Sequence, residues 1–172
     1  NISDSADWPT GVYAKDIDAD GDIDIAGSIL SNQEVVWWEN DGDENFVEHI
    51  VEPGFVTARR VWIADMNGDS HQDIIAGADG STDDLIWLEN DGGVDPTFTR
   101  RNIDLNYSNV QNMVVADING DTALDVIVCA FSNGVSWYEN SGGLSPTFTR
   151  RNIATGSNVS VQTADVNEDG HM

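Results

Sequence analysis

The sequence is poor in cysteine, in basic residues and in long apolar runs, and each shortage excludes a class of protein. Cys129 is the one cysteine among 172 residues, which excludes an internal disulfide framework and a cysteine-rich zinc or iron–sulfur site. Seven Lys and Arg residues stand against 31 Asp and Glu residues, giving a net charge of −24 that disfavours binding to nucleic acid or anionic lipid. No stretch approaches the roughly 18 apolar residues of a membrane-spanning helix, so membrane insertion is not expected.

The composition nevertheless predicts a folded chain. Forty per cent of the residues are hydrophobic, and 6 Trp, 5 Phe and 3 Tyr residues are present, which acidic disordered segments lack. The length suits one domain rather than two. Cys129 lies in an apolar run at 126–130, which predicts a buried thiol rather than a nucleophile.

Internal repetition is the strongest feature of the sequence. An aspartate-rich motif, D-x-[DN]-x-D, occurs four times at intervals of 49, 52 and 48 residues, beginning at Asp16, Asp65, Asp117 and Asp165. A second motif, W-[WLY]-E-N-x-G, keeps the same period and begins at Trp37, Trp87 and Trp137. The segment Pro96–Ile103 also recurs as Pro146–Ile153, residue for residue. The chain is therefore divided into repeats at about 1–48, 49–101 and 102–151, with a partial repeat at 152–172.

Each repeat carries the signals of short β-strands separated by turns. Runs rich in β-branched and aromatic residues alternate with Asp, Gly and Asn clusters, and no window has a sustained helical period. Four strands in about 50 residues, repeated, predict an all-β fold of β-propeller blades. The predicted strands of the first repeat are Val12–Asp16, Asp24–Ser28, Val35–Glu39 and Phe46–Val51. The other predicted inner strands are Val61–Asp65, Met113–Asp117 and Val161–Asp165, and the other outer strands are Thr97–Ile103 and Thr147–Ile153.

The number of repeats predicts an incomplete ring. A period of about 50 residues gives about 3.4 blades in this chain, whereas closed propellers typically have 4–8 blades. We therefore expect a single β-propeller segment over 1–172 that is part of a longer propeller, or a homo-oligomer in which other copies complete the ring.

The aspartate-rich loops predict bound divalent cations. Counted from the first aspartate, positions 1, 3, 5 and 9 offer side-chain oxygens and position 7 offers its backbone carbonyl. Hard cations such as Ca²⁺ take 6–8 oxygen ligands, and carboxylates this close repel each other without a counter-ion. The three complete candidate sites are Asp16, Asp18, Asp20, Asp22 (carbonyl) and Asp24; Asp65, Asn67, Asp69, His71 (carbonyl) and Asp73; and Asp117, Asn119, Asp121, Ala123 (carbonyl) and Asp125. The fourth loop offers Asp165, Asn167 and Asp169 but lacks its ninth position, so weak binding or none is expected there.

Other interpretations of these loops fit less well. An EF-hand needs a glutamate at position 12, where Gly27, Ala76 and Val128 stand. Magnesium prefers fewer carboxylates and more water, and the three isolated histidines form no zinc site. Solvated Asp/Gly turns without metal remain the alternative.

The loop and hairpin motifs together resemble the FG-GAP/VCBS repeat family, and the likeness covers essentially the whole chain. The resemblance implies calcium-binding β-propeller repeats, with calcium at the loop positions given above. The literal Phe-Gly and Gly-Ala-Pro tripeptides are absent, and Ser70 and Thr122 replace the usual loop glycine.

The remaining recurrent residues favour structural roles. The repeated tryptophans predict packing between blades, and the Glu-Asn pairs that follow them predict hairpin stabilisation. Four aromatics break the repeat and are candidates for a sugar-binding cleft, although burial is favoured: Trp8, Trp38, Trp62 and Tyr138. No Ser/His/Asp or Cys/His set, P-loop or dinucleotide motif is present, so a catalytic role is not expected.

The sequence therefore predicts a calcium-stabilised, non-catalytic module for recognition or scaffolding, with a protein or carbohydrate ligand. Loops of this kind bind calcium at about 10⁻⁴–10⁻³ M, which favours a secreted or cell-surface location. The alternatives are a lectin-like sugar-binding domain and an accessory propeller domain of a secreted polysaccharide-active enzyme.

Overall fold

Residues 7–80, 85–107, 109–157 and 160–165 are described by the computed structural model. These residues form twelve strands and no helix, and therefore no helix that could cross a membrane. The strands of the first sheet are β1 (Pro9–Lys15), β2 (Asp24–Ile29), β3 (Glu34–Asn40) and β4 (Phe46–Pro53). Those of the second are β5 (Ala58–Ala64), β6 (Asp73–Ala78), β7 (Leu85–Asn90) and β8 (Phe98–Asp104). Those of the third are β9 (Val110–Ala116), β10 (Asp125–Ala130), β11 (Gly134–Asn140) and β12 (Phe148–Ala154).

Each sheet is an antiparallel four-stranded meander in chain order. Equivalent residues pair in the same register: Trp37 lies opposite Ala26 in the first sheet, and Trp87 lies opposite Ile75 in the second. The inner strand β5 packs against both β1 and β9, so the sheets follow one another around a common axis. The three sheets are consecutive blades of a β-propeller that is not closed, which confirms the predicted fold class.

One predicted strand is not formed. Residues 160–165, where an inner strand of a fourth blade was expected at Val161–Asp165, have no strand conformation. A strand exists through backbone pairing with a neighbour, and this segment pairs with no strand of the described chain. The segment approaches the third blade through side chains, where the amide of Asn112 in β9 lies 3.4 Å from the hydroxyl oxygen of Ser160.

The hydrophobic core lies between the blades. One cluster joins the first and second blades and includes Trp37, Ile74 and Leu88; another joins the second and third and includes Trp87 and Tyr138. Strands buried on both faces explain the nearly continuous apolar runs of β6 and β10. Truncating a buried tryptophan to alanine typically costs about 3–5 kcal/mol, so these contacts are a major source of stability.

The aromatics that break the repeat have different environments. Trp38 and Tyr138 are buried, and Trp62 is half-buried with its ring centre 4.4 Å from that of Tyr13. Trp8 is exposed at the start of β1. Cys129 is a buried free thiol, as predicted, and burial raises its pKa.

Candidate metal-binding loops and inter-blade clefts

The three complete aspartate-rich loops connect the first and second strands of successive blades, at residues 16–23, 65–72 and 117–124. They lie at the same end of the sheet in every blade, because the strands run in the same order. In the fourth loop, Asp165 is described, whereas Asn167, Asp169 and His171 lie outside the described residues.

In the first loop, three predicted ligands converge. Oxygen atoms of Asp16, Asp18 and Asp24 lie within 4.8 Å of one another. Two oxygens on opposite sides of a calcium ion, each about 2.4 Å from it, would lie about 5 Å apart. This spacing therefore leaves room for one such ion between the carboxylates. Asp20 is exposed and is not part of this group; its Oδ1 accepts a hydrogen bond from the backbone N–H of Asp22 at 2.9 Å.

The free oxygen of Asp16 is the clearest sign of an unsatisfied site. Its Oδ1 atom is buried and has no hydrogen-bond partner, while its Oδ2 atom accepts the N–H of Gly21 at 3.1 Å. Asp18 lies beside it, and burial together with the negative charges of Asp24, Asp20 and Glu39 raises its pKa. A buried carboxylate oxygen without a partner is costly, and a cation would remove that cost.

The second and third loops are hydrogen-bonded differently. The position occupied by Asp18 is Asn67 in the second loop, and the Asn67 amide donates to Asp69 Oδ2 at 2.8 Å. The Asp65 carboxylate accepts the backbone N–H groups of Gly68 at 2.7 Å and Ser70 at 2.8 Å. The third loop repeats this pattern with Asn119, Asp121, Asp117, Gly120 and Thr122. Within the described residues, a group of three carboxylates gathers in the first loop alone.

The ninth-position aspartates have a structural role that sequence reasoning missed. Asp24, Asp73 and Asp125 are buried, and each accepts two backbone N–H groups. Asp73 accepts from Met66 and from Asn90, both at 2.9 Å, and so joins its loop to the end of β7. Burial raises the pKa of Asp73 to about 7, although these hydrogen bonds oppose the shift. Burial also raises the pKa values of Asp24 and Asp125.

The three complete loops share the same backbone turn, although glycine stands at position 6 in the first loop and at position 4 in the other two. Positions 4 and 6 of each of the three complete loops have positive φ: Ala19 and Gly21 in the first, Gly68 and Ser70 in the second, and Gly120 and Thr122 in the third. Ser70 and Thr122 therefore adopt the left-handed backbone conformation that favours glycine, with φ of 76° and 77°.

Asparagines of the Trp-Glu-Asn motif connect one blade to the preceding one. The Asn90 amide donates to the Ile17 carbonyl in the first loop at 3.1 Å, and the Asn140 amide donates to the Met66 carbonyl in the second loop at 2.9 Å. The sequence predicted a role within the hairpin only. The recurrence of this asparagine every 50 residues was the available signal, but its partner is a backbone atom that no side-chain pattern marks.

Clefts open between neighbouring loops. A cavity of about 820 Å³ lies between the second and third blades and is lined by residues that include Asn67, Asp121, Thr122, Leu124 and Ser141. The equivalent cleft between the first and second blades is smaller, about 310 Å³. Both clefts lie beside the candidate metal loops, so metal binding would position their walls.

Repeated four-stranded blades with an aspartate-rich loop in each define a β-propeller repeat protein. A model of the FG-GAP-like repeat matches residues 16–76, 65–128 and 117–172, each match beginning at the first aspartate of a loop. The chain belongs to the FG-GAP-like repeat family, as its motifs predicted.

Comparison with individual proteins adds support for the fold. No curated protein matches the chain significantly. Among solved structures, the chain is similar to an Agrocybe aegerita lectin, whose structure was described for its specific recognition of non-reducing terminal N-acetylglucosamine. The TM-score is 0.57 at 24% sequence identity, over 83% of this chain and 38% of the lectin chain. The chain thus spans well under half the length of this structural relative.

Proposed function

We propose that this protein is a calcium-stabilised, non-catalytic β-propeller module that serves recognition or scaffolding outside cells. The observation that carries the proposal is the first loop, where three carboxylates lie within 4.8 Å and one buried oxygen of Asp16 has no partner. A binding role, rather than catalysis, is supported by the repeat family and by the lectin fold of the structural relative.

The residues of the first loop fit calcium. Asp16, Asp18 and Asp24 offer hard oxygen ligands, and the sulfur or paired imidazole ligands that zinc prefers are not among them. A bound dication would offset the repulsion between these carboxylates, and it would fix the loop against β2, which begins at Asp24.

Binding strength is proposed to differ between the loops. In the second and third loops, hydrogen bonds from the backbone already satisfy Asp65 and Asp117, and an asparagine replaces one carboxylate. A cation in the second or third loop must displace these bonds, and it meets one negative charge fewer than in the first loop. We therefore expect the first loop to bind calcium most tightly. The proposed location rests on affinities near 10⁻⁴–10⁻³ M, typical of extracellular modules, which would keep the sites filled outside cells and empty in cytosol.

Calcium titration of the EDTA-treated protein tests the proposal. We expect heat of binding in calorimetry and a higher melting temperature in excess calcium than in EDTA, because an ion that binds only the folded state stabilises it. Asp18→Asn should weaken binding at the first loop to the level of the other two loops, since it gives the first loop an asparagine at the position of Asn67 and Asn119. Asp43→Asn, an exposed turn residue outside the loop, removes the same charge and should leave binding intact. Equal melting temperatures in calcium and EDTA, with no heat of binding, would falsify the proposal.

Carbohydrate is a second candidate for the ligand, and the cleft between the second and third blades favours it. Its lining combines carboxylate, amide and hydroxyl groups with the apolar side chains of Met66 and Leu124, which suits the hydroxyls and ring faces of a sugar. The structural relative is a lectin, although the likeness to it is one of fold.

A glycan array tests this candidate. If sugar binds in the cleft, Ser141→Trp should abolish the signal by filling it, whereas Asp43→Trp in the first blade should not. Trp62→Ala tests the separate prediction that an inter-blade aromatic takes part. An array without any signal in the presence of calcium would leave a protein ligand as the proposal.

A further inference from the structure

Two buried side-chain oxygens of the described residues have no hydrogen-bond partner, and both belong to residues of one cleft. They are Oδ1 of Asp16, in the first aspartate-rich loop, and Oε1 of Gln72, in the second blade. Both residues line the cleft of about 310 Å³ between the first and second blades. The other buried side-chain atoms without a partner, within the part of the chain that the structure describes, are nitrogens of Trp37, Arg59, Trp87 and Trp137. Because an unsatisfied buried polar atom costs free energy, two such acceptors in one cleft indicate a shared partner.

Gln72 lies directly beside the first loop. The amide nitrogen of Asn90 donates to the Ile17 carbonyl at 3.1 Å and to the Gln72 carbonyl at 3.0 Å, so the two carbonyls share one donor atom. Ile17 is the residue that follows Asp16 in the chain. The backbone of Gln72 is therefore fixed next to the loop in which the carboxylates gather.

The counterpart of Gln72 in the third blade is apolar and meets a different kind of loop. Leu124 lines the cleft between the second and third blades and packs against the hydrophobic cluster there. The loop that it meets has Asn67 at position 3, and backbone N–H groups satisfy the carboxylate of Asp65. The loop that Gln72 meets has the carboxylate of Asp18 at position 3. An amide oxygen thus accompanies the loop with an unsatisfied carboxylate, and a leucine accompanies the loop without one.

The chemistry of the cleft favours a divalent cation as the shared partner. Two acceptor oxygens cannot bond to each other, so their partner must donate hydrogen bonds or carry positive charge. Carboxylate oxygens of Asp16, Asp18 and Asp24 lie within 4.8 Å of one another. Lys15 also lines the cleft, but an ammonium offsets one negative charge, whereas a dication offsets two. Calcium takes about 6–8 oxygen ligands, including glutamine side-chain carbonyls, so it can use more donors than these three carboxylates.

We propose that Gln72 of the second blade is a further ligand of the cation that Asp16, Asp18 and Asp24 of the first blade hold. The inference rests on the proposed function, because it adds a residue to the same site. Bound cation would then join two blades, across the interface that the bond from Asn90 to Ile17 also crosses. The loop motif does not mark this ligand, since it stands at position 8, where the first and third loops have Ile23 and Leu124.

Calcium titration of the EDTA-treated full chain by calorimetry tests the assignment. Gln72→Leu gives the second loop the residue of the third and removes the oxygen. We expect it to weaken the tightest site at least about tenfold, because losing even an outer-shell partner of a metal typically costs about 10–100-fold in affinity. Gln72→Glu keeps an oxygen and adds a charge, so it should bind calcium more tightly than the parent. Leu124→Gln, which places an amide in the other cleft, should leave the tightest site unchanged.

Terbium(III), a luminescent substitute for calcium, provides a measurement that responds to ligation itself. Added at less than one equivalent, it occupies the tightest site, and its luminescence decay in H₂O and in D₂O gives the number of water molecules bound to the ion. Gln72→Leu should raise that number by about one, because water takes the vacant position on an ion with about 6–8 ligands. Leu124→Gln should leave the number unchanged.

The outcomes separate this inference from the proposed function. If the parent binds calcium and Gln72→Leu binds it with equal affinity and equal hydration, water alone occupies the cleft at Gln72, and the inference is overturned while the proposed function stands. Weaker binding by Gln72→Leu without an added water would also overturn it, because Gln72 would then act by positioning the loop. Unchanged affinity in Gln72→Glu decides against it even if Gln72→Leu does not fold. A parent protein that binds no calcium overturns both proposals.

Discussion

The Asn90 side chain in the second blade donates a hydrogen bond to the Ile17 carbonyl in the first blade, at 3.1 Å. Ile17 directly follows the first aspartate of the first aspartate-rich loop. The same amide also bonds to the Gln72 carbonyl at 3.0 Å. One side chain therefore links the aspartate-rich loop of its own blade to that of the preceding blade.

Removing this amide should destabilise the protein measurably. In Asn90→Ala, two backbone carbonyls lose their partner, and a buried unsatisfied carbonyl costs about 1–3 kcal/mol. Urea unfolding should show that loss for Asn90→Ala and a similar one for Asn140→Ala. Asn40→Ala is the matched control, because the Asn40 amide bonds to the Ile23 carbonyl of its own blade, at an exposed position. Equal losses for all three variants would contradict an inter-blade role.

Gly27 should not tolerate a side chain. A Cβ atom at this position would lie 2.4 Å from the Trp38 ring, well inside van der Waals contact. We expect Gly27→Ala to lower the free energy of unfolding by about 1–3 kcal/mol, the usual range for overpacking. Gly93→Ala, whose added Cβ would come no closer than 3.4 Å to its neighbours, serves as the control. The melting temperatures of the two variants give the comparison.

Replacing Thr122 with glycine should stabilise the protein. Its φ of 77° is strained for a β-branched residue, and relief of that strain outweighs the greater freedom of glycine in the unfolded chain. We expect Thr122→Gly to stabilise the protein by about 0.5–1 kcal/mol. Thr122→Ala keeps a Cβ atom at the same φ and should gain less. Chemical denaturation in calcium decides whether the gain is specific to glycine.

The metal-free protein should lose stability as the pH rises from about 4 to about 7. Burial raises the pKa of Asp73 to about 7, above the ordinary aspartate value of 3.8 that applies when the chain is unfolded. The folded state therefore holds its proton where the unfolded state does not. The resulting stability is complete below the unfolded pKa and is lost as the pH passes through the folded value, by up to about 4 kcal/mol.

Urea unfolding in EDTA across this range measures the effect. Asp73→Asn should flatten the slope, because an amide does not titrate, while Asp43→Asn should keep it. In calcium the same Asp73→Asn change should destabilise the protein, since a proposed ligand is lost. An identical pH slope in the parent and Asp73→Asn proteins would show that Asp73 does not titrate in this way.

The sequence predicted the blades well because their signals are local and repeated. β-Branched and aromatic runs between turn residues marked the strands, and two independent motifs fixed the period. The expected strand at Val161–Asp165 failed for a non-local reason. Its apolar pattern is correct, but a strand forms only when another strand pairs with it.

The residues of the candidate metal-binding loops could be predicted from the sequence, but the differences in hydrogen bonding between the loops could not. The spacing identified every loop aspartate, yet it did not indicate that Asp16 keeps a free buried oxygen while Asp65 bonds to backbone amides. That difference arises where Asp18 in one loop corresponds to Asn67 in the next. The second role of Asp73, as an acceptor for the end of β7, depends on tertiary contacts that lie beyond sequence spacing.

The direction of the asparagine bonds has a consequence for synthesis on the ribosome. Asn90 follows Ile17 by 73 positions, and Asn140 follows Met66 by 74. The asparagine that bonds to a loop is therefore synthesised only after the ribosome has added roughly a blade and a half beyond that loop. We therefore expect each newly synthesised blade to complete the hydrogen bonding of the blade before it.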